Sequence, residues 1–173
     1  MATPEAKRIL VLGVGNILFT DEGVGVRCVE KMEREYEFSG NVTLLDGGTL
    51  GMRLMDALLG CDMAIVLDAV LGTEKPGTIY RCEGDDLRKS LAFKDSMHQT
   101  DLVDTLIYCG LVGTRPDAVI IGIEPHDYHT MCAAVSDVLA GRLDEMVGFA
   151  LKEIEAAGGS FTRRAVPLET QYA

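Results

Sequence analysis

The chain has 173 residues, of which 47% are apolar and 25% charged, a length and balance typical of one globular domain. Its formal net charge is −11, so it lacks the basic surface that nucleic acids and acidic membranes require. No apolar run reaches the roughly 20 residues that span a bilayer, and the five scattered cysteines form no C-x-x-C pair. We therefore expect a cytoplasmic monomer with reduced thiols, and no nucleic-acid or membrane partner.

The first apolar segment leads into a glycine-rich turn and then into a helix. A strand is expected at residues 8–14 and an amphipathic helix at 22–36. Nucleotide-binding turns at this position carry a third glycine and aim backbone amides at a phosphate. Here Leu18 occupies the position of the third glycine, and Asp21 and Glu22 stand where the phosphate would lie. Two carboxylates at the end of a first strand favour a bound cation over a bound anion.

The rest of the chain alternates apolar runs with helical periodicity. Strands are also expected at residues 41–45, 63–67, 78–82 and 118–123, and helices at 50–59, 100–111 and 130–157, the last broken near Gly141. The short turn before residue 78 leaves too little chain for a helical crossover, so strand 78–82 should run antiparallel to strand 63–67. Residues 158–173 show little periodicity and are expected to form a loose tail.

This order of elements predicts an α/β fold with one domain over residues 1–173 and its core at 8–157. We expect a three-layer sandwich, in which a mostly parallel, five-stranded twisted sheet carries helices on both faces.

Polar residues follow the predicted strands at the edge where ligands bind in open α/β sheets. They are Asn16, Asp21, Glu22, Asp46, Asp68 and Glu124, with His98 in the loop after the fourth strand. Two carboxylates and one imidazole suit nickel, zinc, iron or manganese. Glu22, Asp68 and His98 are therefore our candidate metal ligands, and a set of three leaves positions open for water or for a group of a partner.

Each candidate also has a purely structural interpretation. Glu22 in the first turn of a helix favours the helix dipole, and Asp21 suits an N-cap better than a ligand. Asp46 suits a turn, Asp68 suits a helix cap, and His98 suits an ordinary loop or helix start.

A rival cluster follows the last strand, where His126 and His129 stand three residues apart. The polar run around them is more typical of a solvated loop than of a metal site. No G-x-S-x-G elbow is present, and every cysteine lies in an apolar or helical pattern, so a covalent mechanism is not expected.

Several short motifs occur in order along the chain. They are Asp21-Glu22-Gly23 after the glycine–asparagine turn, Asp46-Gly47-Gly48-Thr49-Leu50-Gly51, Ile65-Val66-Leu67-Asp68-Ala69-Val70, Pro76-Gly77-Thr78-Ile79-Tyr80, His98, and Gly122-Ile123-Glu124-Pro125. Over about residues 8–155 this set resembles the hydrogenase maturation endopeptidases, which trim the large-subunit precursor of nickel–iron hydrogenases. The fold that the resemblance implies is phosphorylase/hydrolase-like, a twisted sheet between helices.

The resemblance implies an endopeptidase that removes a C-terminal extension once nickel has been inserted into the precursor. The metal-binding positions of the family correspond to Glu22, Asp68 and His98, with Asp21 and Asp46 as weaker catalytic candidates. The nickel would come with the precursor, and an activated water would cleave the peptide beside it.

Two other functions stay open at this point. A non-catalytic nickel checkpoint, which binds the precursor without cutting it, would use the same ligands. A Rossmann-type nucleotide-binding module would share the first two glycines and the acid Asp46, but the third glycine is missing.

Overall fold

The computed structural model describes residues 6–49, 51–72, 74–83 and 97–169, and for residues 97–103 it describes the backbone only. The strands are β1 (Ile9–Val14), β2 (Tyr36–Phe38), β3 (Val42–Gly48), β4 (Met63–Ala69), β5 (Ile79–Glu83), β6 (Asp117–Ile123) and β7 (Phe161–Arg163). The α-helices are α1 (Val24–Glu35), α2 (Met55–Leu59), α3 (Met97–Val112), α4 (Asp137–Ala140) and α5 (Leu143–Ala156). Short 3₁₀ turns at Thr20–Gly23 and Gly51–Leu54 precede α1 and α2.

The main sheet has five strands in the order β3-β1-β4-β6-β5. Four of them are parallel, and β5 runs antiparallel to the rest, as the short turn before it predicted. Its hydrogen-bonded neighbour is β6, which lies between β5 and β4. The predicted single-domain sandwich, with a mostly parallel five-stranded sheet, is therefore confirmed.

Apolar side chains cover both faces of the sheet. Successive residues of β4 alternate between the faces, because side chains of a strand point to opposite sides in turn. Ile65 and Leu67 pack in the cluster that contains α1 and α5, whereas Ala64 and Val66 pack in the cluster that contains α2 and α3. In the described part of the chain, no helix combines the length and the apolar character that crossing a membrane demands.

Two sequence predictions near the C-terminus are corrected. The helix expected at 130–157 begins only at Asp137, because residues 130–136 form an irregular loop whose backbone bonds to the turn before α1. The break near Gly141 is confirmed, since α4 ends at Ala140 and α5 begins at Leu143.

The tail expected after residue 158 is not loose over its described part. Phe161–Arg163 forms β7, which pairs antiparallel with β2 in a second, two-stranded sheet. Aromatic contacts explain the docking, because the ring of Phe161 packs edge-on against Tyr36 at 5.7 Å between centroids. A three-residue strand has too few side chains for its alternation to be visible in the sequence.

Replacing Glu35 by glutamine should loosen this second sheet from α1. Glu35 is buried, and its carboxylate accepts hydrogen bonds from Lys31 Nζ at 2.6 Å and from an Arg163 guanidinium nitrogen at 3.4 Å. The hydrogen bond from Lys31 is the main cause that lowers the pKa of Glu35 below its ordinary value. We expect a loss of about 1.5–3 kcal/mol at neutral pH, measured by thermal unfolding, since hydrogen bonds to buried charges are of this size.

The pH dependence tests the cause of that loss. A lowered pKa contributes stability that is complete above the ordinary value and disappears as the pH falls through the folded value, so the two proteins should converge in acid. Glu37→Gln is the control, because Glu37 is exposed where it meets Arg164 and such pairs contribute about 0–1 kcal/mol. Equal losses of unfolding free energy in the two variants would contradict a stabilising role of the buried Glu35 carboxylate.

Candidate metal site at the carboxyl edge of the sheet

The strand order creates a crevice between β1 and β4. The chain leaves β1 for β3 on one side and then returns to β4 on the other side, so the connections from these neighbouring strands diverge. Ligands of open α/β proteins bind at the carboxyl ends of strands at such a switch point. Glu22 lies in the turn that follows β1, and Asp68 is the last residue but one of β4.

Glycine allows the turn that carries Glu22 to come this close to the strands. A Cβ atom on Gly25 would lie 2.0 Å from the carbonyl oxygen of Leu67 and 2.4 Å from that of Val14. The start of α1 therefore rests directly on the backbone of both strands. Gly15 has a φ of +134°, and a Cβ there would lie 1.8 Å from the carbonyl oxygen of Glu22.

Asp68 is a buried acid with an unsatisfied oxygen. It is 2% exposed, and its Oδ2 atom has no hydrogen-bond partner in the described structure. Burial raises the pKa of Asp68 well above its ordinary value, a backbone hydrogen bond from Ala69 opposes that rise, and the negative charge of Glu22 adds to it. A buried carboxylate oxygen without a donor is costly unless a cation binds to it, so this site suits a metal ion.

The third candidate, His98, is the second residue of α3. Strand β6 starts at the amino edge of the sheet, where its Asp117 pairs with Met63 of β4. Because α3 leads the chain to that edge, the helix itself starts at the opposite, carboxyl edge. By strand alternation, Asp68 lies on the face of Val66, which α3 covers. The backbone of His98 is therefore at the right edge and on the right face, whereas its side chain lies outside the described residues.

Asp21 and Asp46, the weaker candidates, are both engaged in hydrogen bonds. Asp21 is fully buried, and its carboxylate accepts bonds from the loop after β6 rather than capping a helix, so the predicted N-cap is wrong. Asp46 is exposed, and its Oδ1 atom accepts a 2.9 Å bond from the Gly48 amide, as expected of a turn residue. A catalytic role of Asp46 stays a prediction.

Glu124 has a structural partner that the sequence did not reveal. Its Oε2 atom accepts hydrogen bonds from the Tyr80 hydroxyl at 2.6 Å and from the Gly72 amide at 2.8 Å. These bonds tie the end of β6 to β5 and to the loop after β4. Burial and the bond to Glu124 raise the pKa of Tyr80 above its ordinary value.

The rival histidine cluster and the thiols do not form a second centre. His126 and His129 are both exposed, and no three His, Cys, Asp or Glu side chains among the described residues converge as a metal site. Burial raises the pKa of Cys28 to about 12 and that of Cys61 to about 11, so both thiols stay protonated and are not nucleophiles.

Ser136 was missed by the sequence reasoning. Its hydroxyl caps α4 by accepting a bond from the Leu139 amide, and it also donates to Asp21 across the site. A serine just before a helical pattern is an N-cap signature, which could have placed the start of α4. The bond to Asp21, 115 residues away, has no local signal.

The sequence is similar to those of known proteins. A family model described as hydrogenase maturation protease (HycI) matches residues 26–153. The hydrogenase expression/formation protein HupD of Rhodobacter capsulatus is 38% identical, over 92% of this chain and 77% of the relative. The hydrogenase 2 maturation protease of Escherichia coli K12 is 35% identical, over 94% of this chain and 97% of the relative.

A solved structure agrees with these matches. The hydrogenase maturating endopeptidase HybD from E. coli superimposes with a TM-score of 0.86 and 32% identity, covering 91% of this chain and 98% of that protein. This chain belongs to the hydrogenase maturation protease family.

Proposed function

We propose that this protein removes the C-terminal extension from the nickel-loaded large-subunit precursor of a nickel–iron hydrogenase, and that it recognises the nickel through Glu22, Asp68 and His98. The observation that carries the proposal is the Asp68 carboxylate, which is buried, lacks a donor on one oxygen and lies beside a second carboxylate at the switch point. Membership of the hydrogenase maturation protease family supports a hydrogenase precursor as the substrate.

The buried carboxylate of Asp68 explains why cleavage would require the metal. Taking Asp68 out of water is unfavourable, and a cation bound to it removes part of that cost. A nickel-loaded precursor brings the cation, whereas a nickel-free precursor leaves the Oδ2 atom of Asp68 without a partner. Binding therefore favours the loaded precursor by the free energy of that contact.

The chain's own residues have separate tasks in this proposal. Asp68 receives the metal from the floor of the crevice, Glu22 from the turn after β1, and His98 completes the set from the first turn of α3. When bound there, the nickel supplies a Lewis acid for a neighbouring peptide carbonyl. The metal arrives with the precursor and is part of the substrate.

We place the reaction in the cytoplasm. None of the five cysteines forms a disulfide in the described structure, and Cys132 is exposed. A reducing compartment maintains thiols in this state.

The proposal is tested by incubating the purified protein with nickel-loaded and nickel-free precursor and measuring intact masses. We expect loss of a C-terminal fragment from the loaded precursor only. Glu22→Gln and His98→Ala should each lower the cleavage rate at least about 100-fold, because each removes a contact to the metal beside the reacting peptide.

Asp117→Asn is the matched control, since Asp117 is an exposed acid at the amino end of β6, opposite the site. It should cleave at the wild-type rate. Binding of the loaded precursor without any loss of mass would show a checkpoint that does not cut. Equal cleavage of both precursors would contradict recognition of nickel.

A further inference from the structure

Asp21, the residue before Glu22, accepts four hydrogen bonds through its side chain. Residues 126–136, here called the clamp loop, follow β6 and surround Asp21. The Oδ2 atom of Asp21 accepts hydrogen bonds from the His126 amide, the Asp127 amide and the Ser136 hydroxyl, each at 2.9 Å. Its Oδ1 atom accepts a 2.7 Å bond from the Ser136 amide. Three of these bonds converge on Oδ2 and one on Oδ1, so the Asp21 carboxylate is held by the clamp loop.

Backbone hydrogen bonds fasten the clamp loop to the same turn. The Thr20 amide donates to the Cys132 carbonyl and the Asp21 amide to the Asp127 carbonyl, each at 2.9 Å. The Thr20 hydroxyl donates to the Thr130 carbonyl at 2.7 Å. The clamp loop thus holds the two residues before Glu22 by main chain and side chain together.

The turn held in this way is strained. Thr20 has a φ of +24°, and it is the one non-glycine residue with a positive φ in the described chain. A β-branched side chain makes this conformation unfavourable, by about 1–3 kcal/mol for sparsely populated backbone regions. Such a conformation persists only where the surroundings enforce it. The hydrogen bonds of the clamp loop are the enforcing contacts.

We propose that the clamp loop positions Glu22 for cleavage, with Asp21 as its central positioning residue. The proposal rests on the function assigned to Glu22 above. Asp21 does not touch the substrate but fixes the turn from which Glu22 reaches the crevice. Displacement of a reacting group by about 1 Å can lower a rate 100-fold, so a loosened clamp should reduce turnover more than substrate binding.

Two serines provide a matched pair of variants. Ser136 Oγ donates to a side-chain carboxylate oxygen and accepts from a backbone amide, and Ser39 Oγ likewise donates to Asn41 Oδ1 and accepts from the Ser160 amide. Both serines are half-buried, but Ser39 lies beside the second sheet. In each case, replacement by alanine removes one hydroxyl that donates to a side-chain oxygen and accepts from a backbone amide. Ser136→Ala does so at the site, and Ser39→Ala does so away from it.

The experiment measures kcat and KM for the nickel-loaded precursor, together with amide hydrogen exchange of Thr20 and Asp21 in the free protein. Ser136→Ala should lower kcat about 10-fold and Asp21→Asn about 100-fold, with KM within about twofold of the wild-type value. Exchange at both amides should be faster in these variants. Ser136→Thr, which keeps a hydroxyl, should restore kcat, and Ser39→Ala should leave kcat unchanged.

Faster exchange with an unchanged kcat in Ser136→Ala would overturn the positioning role, as would an equal loss of kcat in Ser39→Ala. Unchanged exchange would overturn the clamp itself. A wild-type protein that cuts no precursor would instead contradict the proposed function, and the exchange rates would still decide whether the clamp holds the turn.

Discussion

Replacing Asp68 by asparagine is expected to abolish processing of the precursor and, in the same protein, to raise the melting temperature. The substitution keeps the shape of the side chain but removes a buried acid whose Oδ2 atom lacks a donor. We expect the rate of cleavage to fall at least about 100-fold, and the free energy of unfolding at pH 7 to rise by about 1–3 kcal/mol. Intact-mass kinetics and thermal unfolding of the metal-free protein measure the two effects.

The pH dependence of this gain follows from the raised pKa of Asp68. Between the ordinary value and the raised folded value, the folded protein holds a proton that the unfolded chain has lost, so the stability of the wild-type protein falls as the pH rises. The asparagine variant lacks this fall. The difference in stability should therefore be greatest at neutral pH and vanish below pH 3.8, the ordinary pKa.

Asp117→Asn serves again as the control, and it should change neither rate nor stability by much, since its carboxylate is exposed. A gain in stability without loss of processing would mean that Asp68 is buried for a reason unrelated to the metal.

Replacing Gly25 by alanine should be among the most damaging single-methyl additions in the chain. The new Cβ would lie 2.0 Å from the carbonyl oxygen of Leu67 and 2.4 Å from that of Val14, and both atoms belong to the central strands. Neither backbone can retreat without breaking sheet hydrogen bonds, so α1 must move outward and take the Glu22 turn with it. We expect a loss of about 3 kcal/mol, at the upper end for overpacking, together with loss of cleavage.

Gly148→Ala is the matched control, because Gly148 lies within α5 and an added Cβ would have no neighbour within 4 Å. Alanine is the better helix former, so this variant should gain about 0.5–1 kcal/mol. If Gly25→Ala melted at the wild-type temperature, the close packing of α1 on β1 and β4 would be wrong.

The sequence predicted the main sheet because its signals are local. Strands such as Met63–Ala69 and Asp117–Ile123 are almost wholly apolar, and the turn at Pro76 and Gly77 is too short for a crossover. The start of α4 and the pairing of β7 were not predicted. The pairing of β7 joins residues more than 100 positions apart, such as Tyr36 and Arg163, for which a single sequence contains no pattern. The start of α4 did have a local signal, the N-cap serine Ser136, and only the bond of Ser136 to Asp21 is long-range.

In the candidate site, too, local features could be predicted from the sequence and long-range contacts could not. The residue types at the strand ends made Glu22 and Asp68 candidates, and both lie at the carboxyl ends of β1 and β4, where the strand order reverses. The role of Asp21 could not be inferred from the sequence. An aspartate before a helix looks the same there whether it caps the helix or accepts four hydrogen bonds from a distant loop. Only the fold distinguishes Asp68, which has an oxygen without a donor, from Asp21, which accepts four hydrogen bonds.

The second sheet can form only late in synthesis on the ribosome, because its strands β2 and β7 lie far apart in the chain. Tyr36 and Phe38 are made early, whereas Phe161 is made near the end of the chain. In the folded protein the ring of Phe161 lies 5.7 Å from that of Tyr36 and 6.3 Å from that of Phe38, measured between centroids. Until residue 161 has been made, Tyr36 and Phe38 therefore lack their contact with Phe161, and β2 lacks its partner strand. A product that stops before Phe161 would keep both features, and exposed apolar surface beside a free edge is what drives association of incomplete chains.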